Sequence, residues 1–251
     1  MAGVVPVGRA LAGGLAALVG MLAYLSVAAG LAPLAWSVGL GCGVLITTAV
    51  ALGLARGPGS QLSSADLVTL TRALAACAVA ALVVEGWLGS SVTTALVALS
   101  GVALALDAVD GRVARATGRS SDFGARFDGE ADAFLLLVLS AHVAQSHGAW
   151  VLAIGLARYA FWAAGLLWPW FRRRLPRRDW RKVVTAVQGI VLVVAAADVV
   201  PRVPMSLALV LALVLLGESF GRDVGWLVRH RLDPTRDEAS ASTLVGRPAP
   251  S

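Results

Sequence analysis

Asp107, Asp110, Asp128 and Asp132 place four carboxylates within 26 residues of a chain in which only 14% of residues are charged. Asp107 and Asp110 stand three apart and Asp128 and Asp132 four apart, so on helices each pair shares one face. Both pairs lie at the junction of two apolar segments, and an antiparallel packing of those segments as a helical hairpin would make the four carboxylates converge. Ionisable groups are costly in or near lipid, and four like charges repel unless cations lie between them. Hard oxygen ligands of this kind suit Mg²⁺ or Mn²⁺. The same acids could merely balance Arg112, Arg115, Arg119 and Arg126, but charge balance does not require these intervals.

The spacing reads D-x2-D-G-x2-A-R-x8-G-x3-D-x3-D, and every fixed position is filled from Asp107 through Gly124 to Asp132. It resembles the signature of the CDP-alcohol phosphotransferases. These are integral membrane enzymes that move a substituted phosphate group from a CDP-linked donor to a hydroxyl acceptor and release CMP. The resemblance implies that Asp107, Asp110 and Asp128 hold metal, with Asp132 beside a second ion and serving as the base for the acceptor hydroxyl. A pyrophosphate would be repelled by bare carboxylates, so a divalent cation must mediate the contact. Asp132 lies one turn from Asp128, about 6 Å along a helix axis, which leaves space for an acceptor oxygen.

The small residues of the motif point the same way. Gly111 and Ala114 lack bulk, so a nucleotide could approach the backbone there, and Gly124 could do the same on the facing helix. Close helix packing is the other use of small residues in membranes. By resemblance, Gly111, Arg115 and Ser121 contact the donor, and a guanidinium fork such as that of Arg115 suits phosphate oxygens. Upstream, Asp66-x2-Thr69-x2-Arg72 is similar to the N-x2-T-x2-R segment that opens the first core helix of the family, with Asp in place of Asn. Arg72 either reaches the donor's phosphates or snorkels to the interface.

The elements that must position these residues are apolar. Hydrophobic residues make up 58% of the chain and the mean hydropathy is +0.78, whereas average chains carry roughly 25% charged residues. A soluble domain is excluded. Positions 10–55 and 86–106 carry no charge at all, and each membrane pass needs about 20 apolar residues. The chain predicts an all-α polytopic membrane protein with about eight spans, near 10–32, 36–55, 66–87, 91–110, 122–145, 149–171, 182–200 and 204–228. Gly30-Leu-Ala-Pro33 separates the first two, and a Gly/Ser-rich link at 56–66 sets them apart from the rest. Residues 1–60 therefore read as an accessory hairpin, 61–230 as a six-helix catalytic core, and 231–251 as a polar tail. Cys42 and Cys77 fall in apolar runs and suggest no disulfide framework. His142, His147 and His230 are too scattered for a metal site.

Charge placement sets the orientation, because cytoplasmic loops carry the excess Lys and Arg. With the N-terminus inside, the inner loops at 55–66, 111–126 and 171–182 and the tail from 229 hold nearly all the cations, and Arg202 is the exception outside. The acidic cluster then faces the cytoplasm of a prokaryotic plasma membrane. The run Arg172 to Arg178 reads as an anchor on anionic lipid, whereas Arg181 and Lys182, ahead of Thr185 and Gln188, resemble the family's Lys-Thr-Gln segment on the acceptor side. Arg158 sits inside an apolar span and must face a partner or a cavity. Glu85 and Glu218 are its conceivable partners, and an anionic acceptor becomes the better choice if Arg158, Arg181 and Lys182 line one cavity.

The reaction expected is transfer of a phosphatidyl group from CDP-diacylglycerol to a hydroxyl acceptor with release of CMP, supported by two Mg²⁺ or Mn²⁺ ions. The converse, a CDP-linked polar alcohol with diacylglycerol as acceptor, uses the same motif. A transporter or scaffold with a metal-binding acidic patch is the non-enzymatic alternative, and it would tolerate loss of Asp132. Membrane lipids are the expected surroundings, no nucleic acid is expected as partner, and the resemblance suggests a homodimer.

Overall fold

The computed structural model describes residues 6–55, 64–117, 122–172 and 179–230, with the side chains of 64, 108–117, 122, 169, 172, 179 and 230 outside the described set. Eight α-helices follow one another among the described residues: α1 (Val7–Ala29), α2 (Pro33–Ala55), α3 (Ser64–Trp87), α4 (Thr93–Thr117), α5 (Asp122–His147), α6 (Leu152–Leu167), α7 (Asp179–Ala196) and α8 (Arg202–His230). Among the described residues five stretches are long and apolar enough to cross a membrane: α1, α2, most of α3, α6 with the 3-10 turn before it, and α8. The apolar part of α4, Thr93–Asp107, is shorter. The chain is a polytopic membrane protein.

Local chemistry accounts for the breaks. Gly30 closes α1 in the left-handed region at φ 71°, its N–H donating to Ser26 O at 3.0 Å, and Pro33 opens α2 at the position where a missing N–H costs nothing. One boundary departs from expectation. The sequence predicted that the fourth helix would end near Asp110, but α4 continues to Thr117; α5 begins at Asp122, as expected. A lone Gly111 costs about 1 kcal/mol in a helix, and the Ala and Arg residues after it are strong helix formers. Gly111, Ala114 and Arg115 therefore lie on a helix.

α3 is the axis of the bundle. In its apolar window 83% of residues are buried, against 22–28% for the other four candidate spans. α1, α2, α4 and α5 all pack on it, and its run of small residues, from Ala73 through Ala76, Ala78 and Ala81, lets them approach closely. α5 packs in turn on α6 and α7, and α7 on α8. Outward-facing residues such as Val27, Leu45 and Leu207 are exposed as a lipid-facing surface requires. Exposed Trp87 and Trp150 stand at one end of the bundle, Trp168 and Trp180 at the other, as interfacial aromatics do.

At the end carrying Trp87, Glu85 holds connections together: its carboxylate accepts from Ala32 N at 2.6 Å and from Ser90 Oγ at 2.7 Å. Between α7 and α8, buried Gln188 donates through Nε2 to Ala212 O at 2.7 Å.

Candidate functional site

Helices that alternate in direction bring the N-terminal parts of α3, α5 and α7 and the C-terminal parts of α4, α6 and α8 to one end of the bundle. Arg72, about two turns into α3, projects from the central helix and is only 4% exposed. Its Nη1 lies 2.9 Å from Asp107 Oδ1 and 2.6 Å from Asp128 Oδ1, and its Nη2 donates to Asp132 Oδ1. The carboxylates thus meet around a guanidinium of the axial helix. Among the described residues α4 and α5 pack along α3 and α7 rather than chiefly on each other, so the expected α4–α5 hairpin contact is not what gathers the acids. Arg72 does not snorkel.

One ligand oxygen from each of Asp107, Asp128 and Asp132 lies within 4.8 Å of the others. Around an octahedral Mg²⁺ neighbouring ligand oxygens stand about 3 Å apart and opposite ones about 4.2 Å, so the set is close enough to draw in around a small divalent cation. The donor chemistry agrees, since all three ligands are hard oxygens and one guanidinium leaves two of three negative charges uncompensated. Asp110 follows Asp107 by three residues on α4 and shares its helical face, with its side chain outside the described set. So are the side chains of Ala114 and Arg115, and Ser121 lies outside the described residues altogether. Gly111 is on α4 beyond Asp110, and Gly124, half-buried, is in the first turn of α5.

On the α6 side of Asp132 a cavity of about 350 Å³ opens between α5, α6, α7 and α8. Asp132, Arg158, Arg181 and Asp223 are its charged lining, with Thr185 and Ser219 beside them. Arg158 is 44% exposed and donates to Glu130 Oε1 from Nη2 at 2.7 Å and from Nε at 3.2 Å. Its guanidinium lies flat against α5 because Gly129 has no side chain: a Cβ there would stand 3.0 Å from Nη2. Arg181 faces buried Asp223, with Nε 3.0 Å from Oδ2.

Two expectations are corrected here. The partner of Arg158 is Glu130, whereas Glu85 serves the connections at the other end and Glu218 pairs with Arg222 and accepts from Trp180. Lys182, exposed on α7, is not part of the cavity lining, because one residue after Arg181 turns about 100° around the helix. Glu130 and Asp223 were missed. Glu130 gives no spacing signal toward a residue 28 positions away, but Asp223, an acid on an apolar helix, could have been marked by the rule that flagged Arg158.

Comparison with known families places the same segment in a defined group. The family model described as CDP-alcohol phosphatidyltransferase matches residues 62–216, from just ahead of α3 to the middle of α8. Comparisons with curated proteins and with solved structures each give no match. The matched segment covers more than half of the chain and holds the whole aspartate cluster with Arg72, so the chain belongs to the CDP-alcohol phosphatidyltransferase family, membrane transferases that move a phosphate–alcohol group in lipid synthesis.

Proposed function

We propose that the protein transfers a phosphatidyl group from CDP-diacylglycerol to a hydroxyl acceptor and releases CMP. The observation that carries this reading is the gathering of Asp107, Asp128 and Asp132 within 4.8 Å of one another, at the wall of a cavity that Asp132 also lines. Asp107, Asp110 and Asp128 would hold Mg²⁺ or Mn²⁺, with a second ion expected near Asp132. Bound divalent ions would neutralise the pyrophosphate and the charge that develops at the phosphorus under attack. Gly111, Ala114 and Gly124 leave room for the nucleotide, and Arg115 and Ser121 contact it. Arg72 compensates the carboxylates before cations arrive and adds positive charge beside the phosphates afterwards.

Asp132 takes the acceptor's proton. The acceptor oxygen forms a bond to the lipid-bearing phosphorus, the pyrophosphate P–O bond breaks, and its electron pair leaves with CMP. Arg158 and Arg181 orient the acceptor in the cavity, where both are lining residues. α1 and α2 form an accessory hairpin at 1–60 that covers the core, 61–230, and the protein acts as a homodimer with this end of the bundle in the cytoplasm.

The test is CMP release from labelled CDP-diacylglycerol by purified protein with Mn²⁺ and a panel of alcohols. Asp107→Asn, Asp110→Asn and Asp128→Asn should each abolish release while the protein still inserts, as should excess chelator. Full activity in chelator would sink the reading. Release only from a CDP-linked polar alcohol with diacylglycerol would reverse the donor assignment.

A further inference from the structure

A second space adjoins the cavity. Between α6 and α8 runs a groove of about 280 Å³ whose nine lining residues are all apolar. Ala153, Ala157 and Ala160 form its α6 wall and Gly217 a gap on α8. Ala157, Phe161, Leu216 and Phe220 line both groove and cavity. The two are one continuous space, polar beside Asp132 and apolar toward the membrane, with the Phe161–Phe220 ring pair, 5.4 Å between centroids, at the junction. Leu156, Val210 and Val214 on the same two helices face outward, so the groove opens among lipid-facing side chains.

We propose that the acceptor is itself a lipid: an alcohol whose hydroxyl-bearing head occupies the cavity and whose hydrocarbon chain lies in the α6–α8 groove. This rests on the transfer reading above and names the class of acceptor for it. A water-soluble alcohol has no use for an apolar path leading from the reacting carboxylate into lipid. The chain in the groove belongs to the acceptor rather than the donor, because among the described residues the cavity is lined from α5, α6, α7 and α8, whereas by resemblance α4 carries the donor positions Gly111, Ala114 and Arg115.

The charges suit such a head. Among the described residues the cavity presents two carboxylates and two guanidiniums, each guanidinium already facing an acid, Glu130 or Asp223. That arrangement favours a hydroxylated head, with or without a single phosphodiester, over a phosphate monoester dianion. Moving a chain from bilayer to an apolar groove gains almost no hydrophobic energy, since lipid tails are as apolar as the walls. The groove supplies position instead, fixing the depth and direction of the head so that its hydroxyl meets Asp132.

The experiment compares three chain-bearing alcohols, phosphatidylglycerol, phosphatidylinositol and diacylglycerol, each with its deacylated head, in wild type and in Gly217→Phe. A Cβ on Gly217 meets nothing within 4 Å, so the ring enters the groove without forcing the backbone; Ala153→Phe fills it from the other wall. At least one chain-bearing alcohol should outperform its deacylated head. Both variants should raise its KM tenfold or more and leave the KM for CDP-diacylglycerol unchanged. Preference for the deacylated heads overturns the proposal, and so does an equal rise in donor KM, which would put the donor's chains in the groove. Loss of a dimer in both variants with acceptor KM unchanged overturns it as well and makes the groove a contact between copies.

A diazirine-tailed form of each chain-bearing alcohol gives a readout without turnover. Labelling between Leu213 and Val224 that Gly217→Phe removes is expected, and no labelling there by any of the three overturns the proposal. Failure of the transfer reading looks different: no CMP release with any alcohol, whatever the labelling.

Discussion

Arg72→Gln separates a guanidinium that holds the site together from one that merely touches substrate. Arg72 is 4% exposed and pairs with Asp107, Asp128 and Asp132, which are 37%, 43% and 22% exposed. Removing one partner of a buried ion pair costs roughly 3 to 5 kcal/mol, since the other is left uncompensated. The carboxylates here retain some water, so the low end, about 3 kcal/mol, applies. For a chain of this size that corresponds to a fall in melting temperature of about 6 to 12 °C in chelator. The deficit should shrink in saturating Mn²⁺, because the cation takes over the charge that the guanidinium carried. Mn²⁺ binding followed by electron paramagnetic resonance should tighten, since a competitor for the same oxygens is gone. A variant that melts with wild type in chelator would refute the reasoning, as would an unchanged deficit with and without Mn²⁺.

Three further outcomes follow from the geometry. Arg158→Ala should raise the KM of the acceptor and leave melting within about 1 kcal/mol of wild type, because its partner Glu130 is 55% exposed and such pairs contribute little; early melting with normal acceptor KM would make the pair structural. A cysteine introduced at Ser120 should be labelled from the cytoplasm and one at Val199, 76% exposed near the opposite end, from outside, with the reverse pattern defeating the orientation drawn from the arginines. Gly155→Val should destabilise by about 1 to 3 kcal/mol or more, because a Cβ at Gly155 would stand 2.5 Å from Leu137 Cα, backbone that cannot move aside. Gly217→Ala, with open space at its Cβ, is the matched control and should melt with wild type.

The parts of this molecule that were legible in its sequence are those where charge is scarce enough to mean something. The intervals from Asp107 to Asp132 announced a carboxylate cluster because each acid in an apolar chain has few roles open to it. The helices were legible because the break chemistry at Gly30 and Pro33 is local. Arg158 was rightly marked as a group that needs an explanation. Its partner was not legible, because Glu130 lies in the motif itself and reads there as one more surface acid, and only the flat approach over Gly129 brings the two together.

What the sequence could not reveal has one physical origin. In water, an apolar stripe at helical period tells which face of a helix is buried; in lipid, the protein interior and the surroundings are equally apolar, and that signal vanishes. α2 and α3 illustrate it: both are long enough and apolar enough to span, yet α2 is 28% buried in its apolar window and α3 is 83% buried. Both are rich in small residues, and what separates them in the sequence is that α3 carries Asp66, Arg72 and Glu85 whereas α2 is uncharged. Ala73, Ala76, Ala78 and Ala81 make α3 thin enough for four helices to pack on it, and Arg72 follows because a guanidinium carried by the axial helix meets acids from both α4 and α5. On any peripheral span the same residue would face lipid on one side and reach fewer carboxylates. The position of Arg72 on the axial helix is therefore what makes the site compact, and a substitution such as Ala76→Leu, which thickens α3 without touching any charge, should spread the helices that carry the carboxylates and weaken Mn²⁺ binding, the opposite of Arg72→Gln; an unchanged Mn²⁺ affinity would refute it.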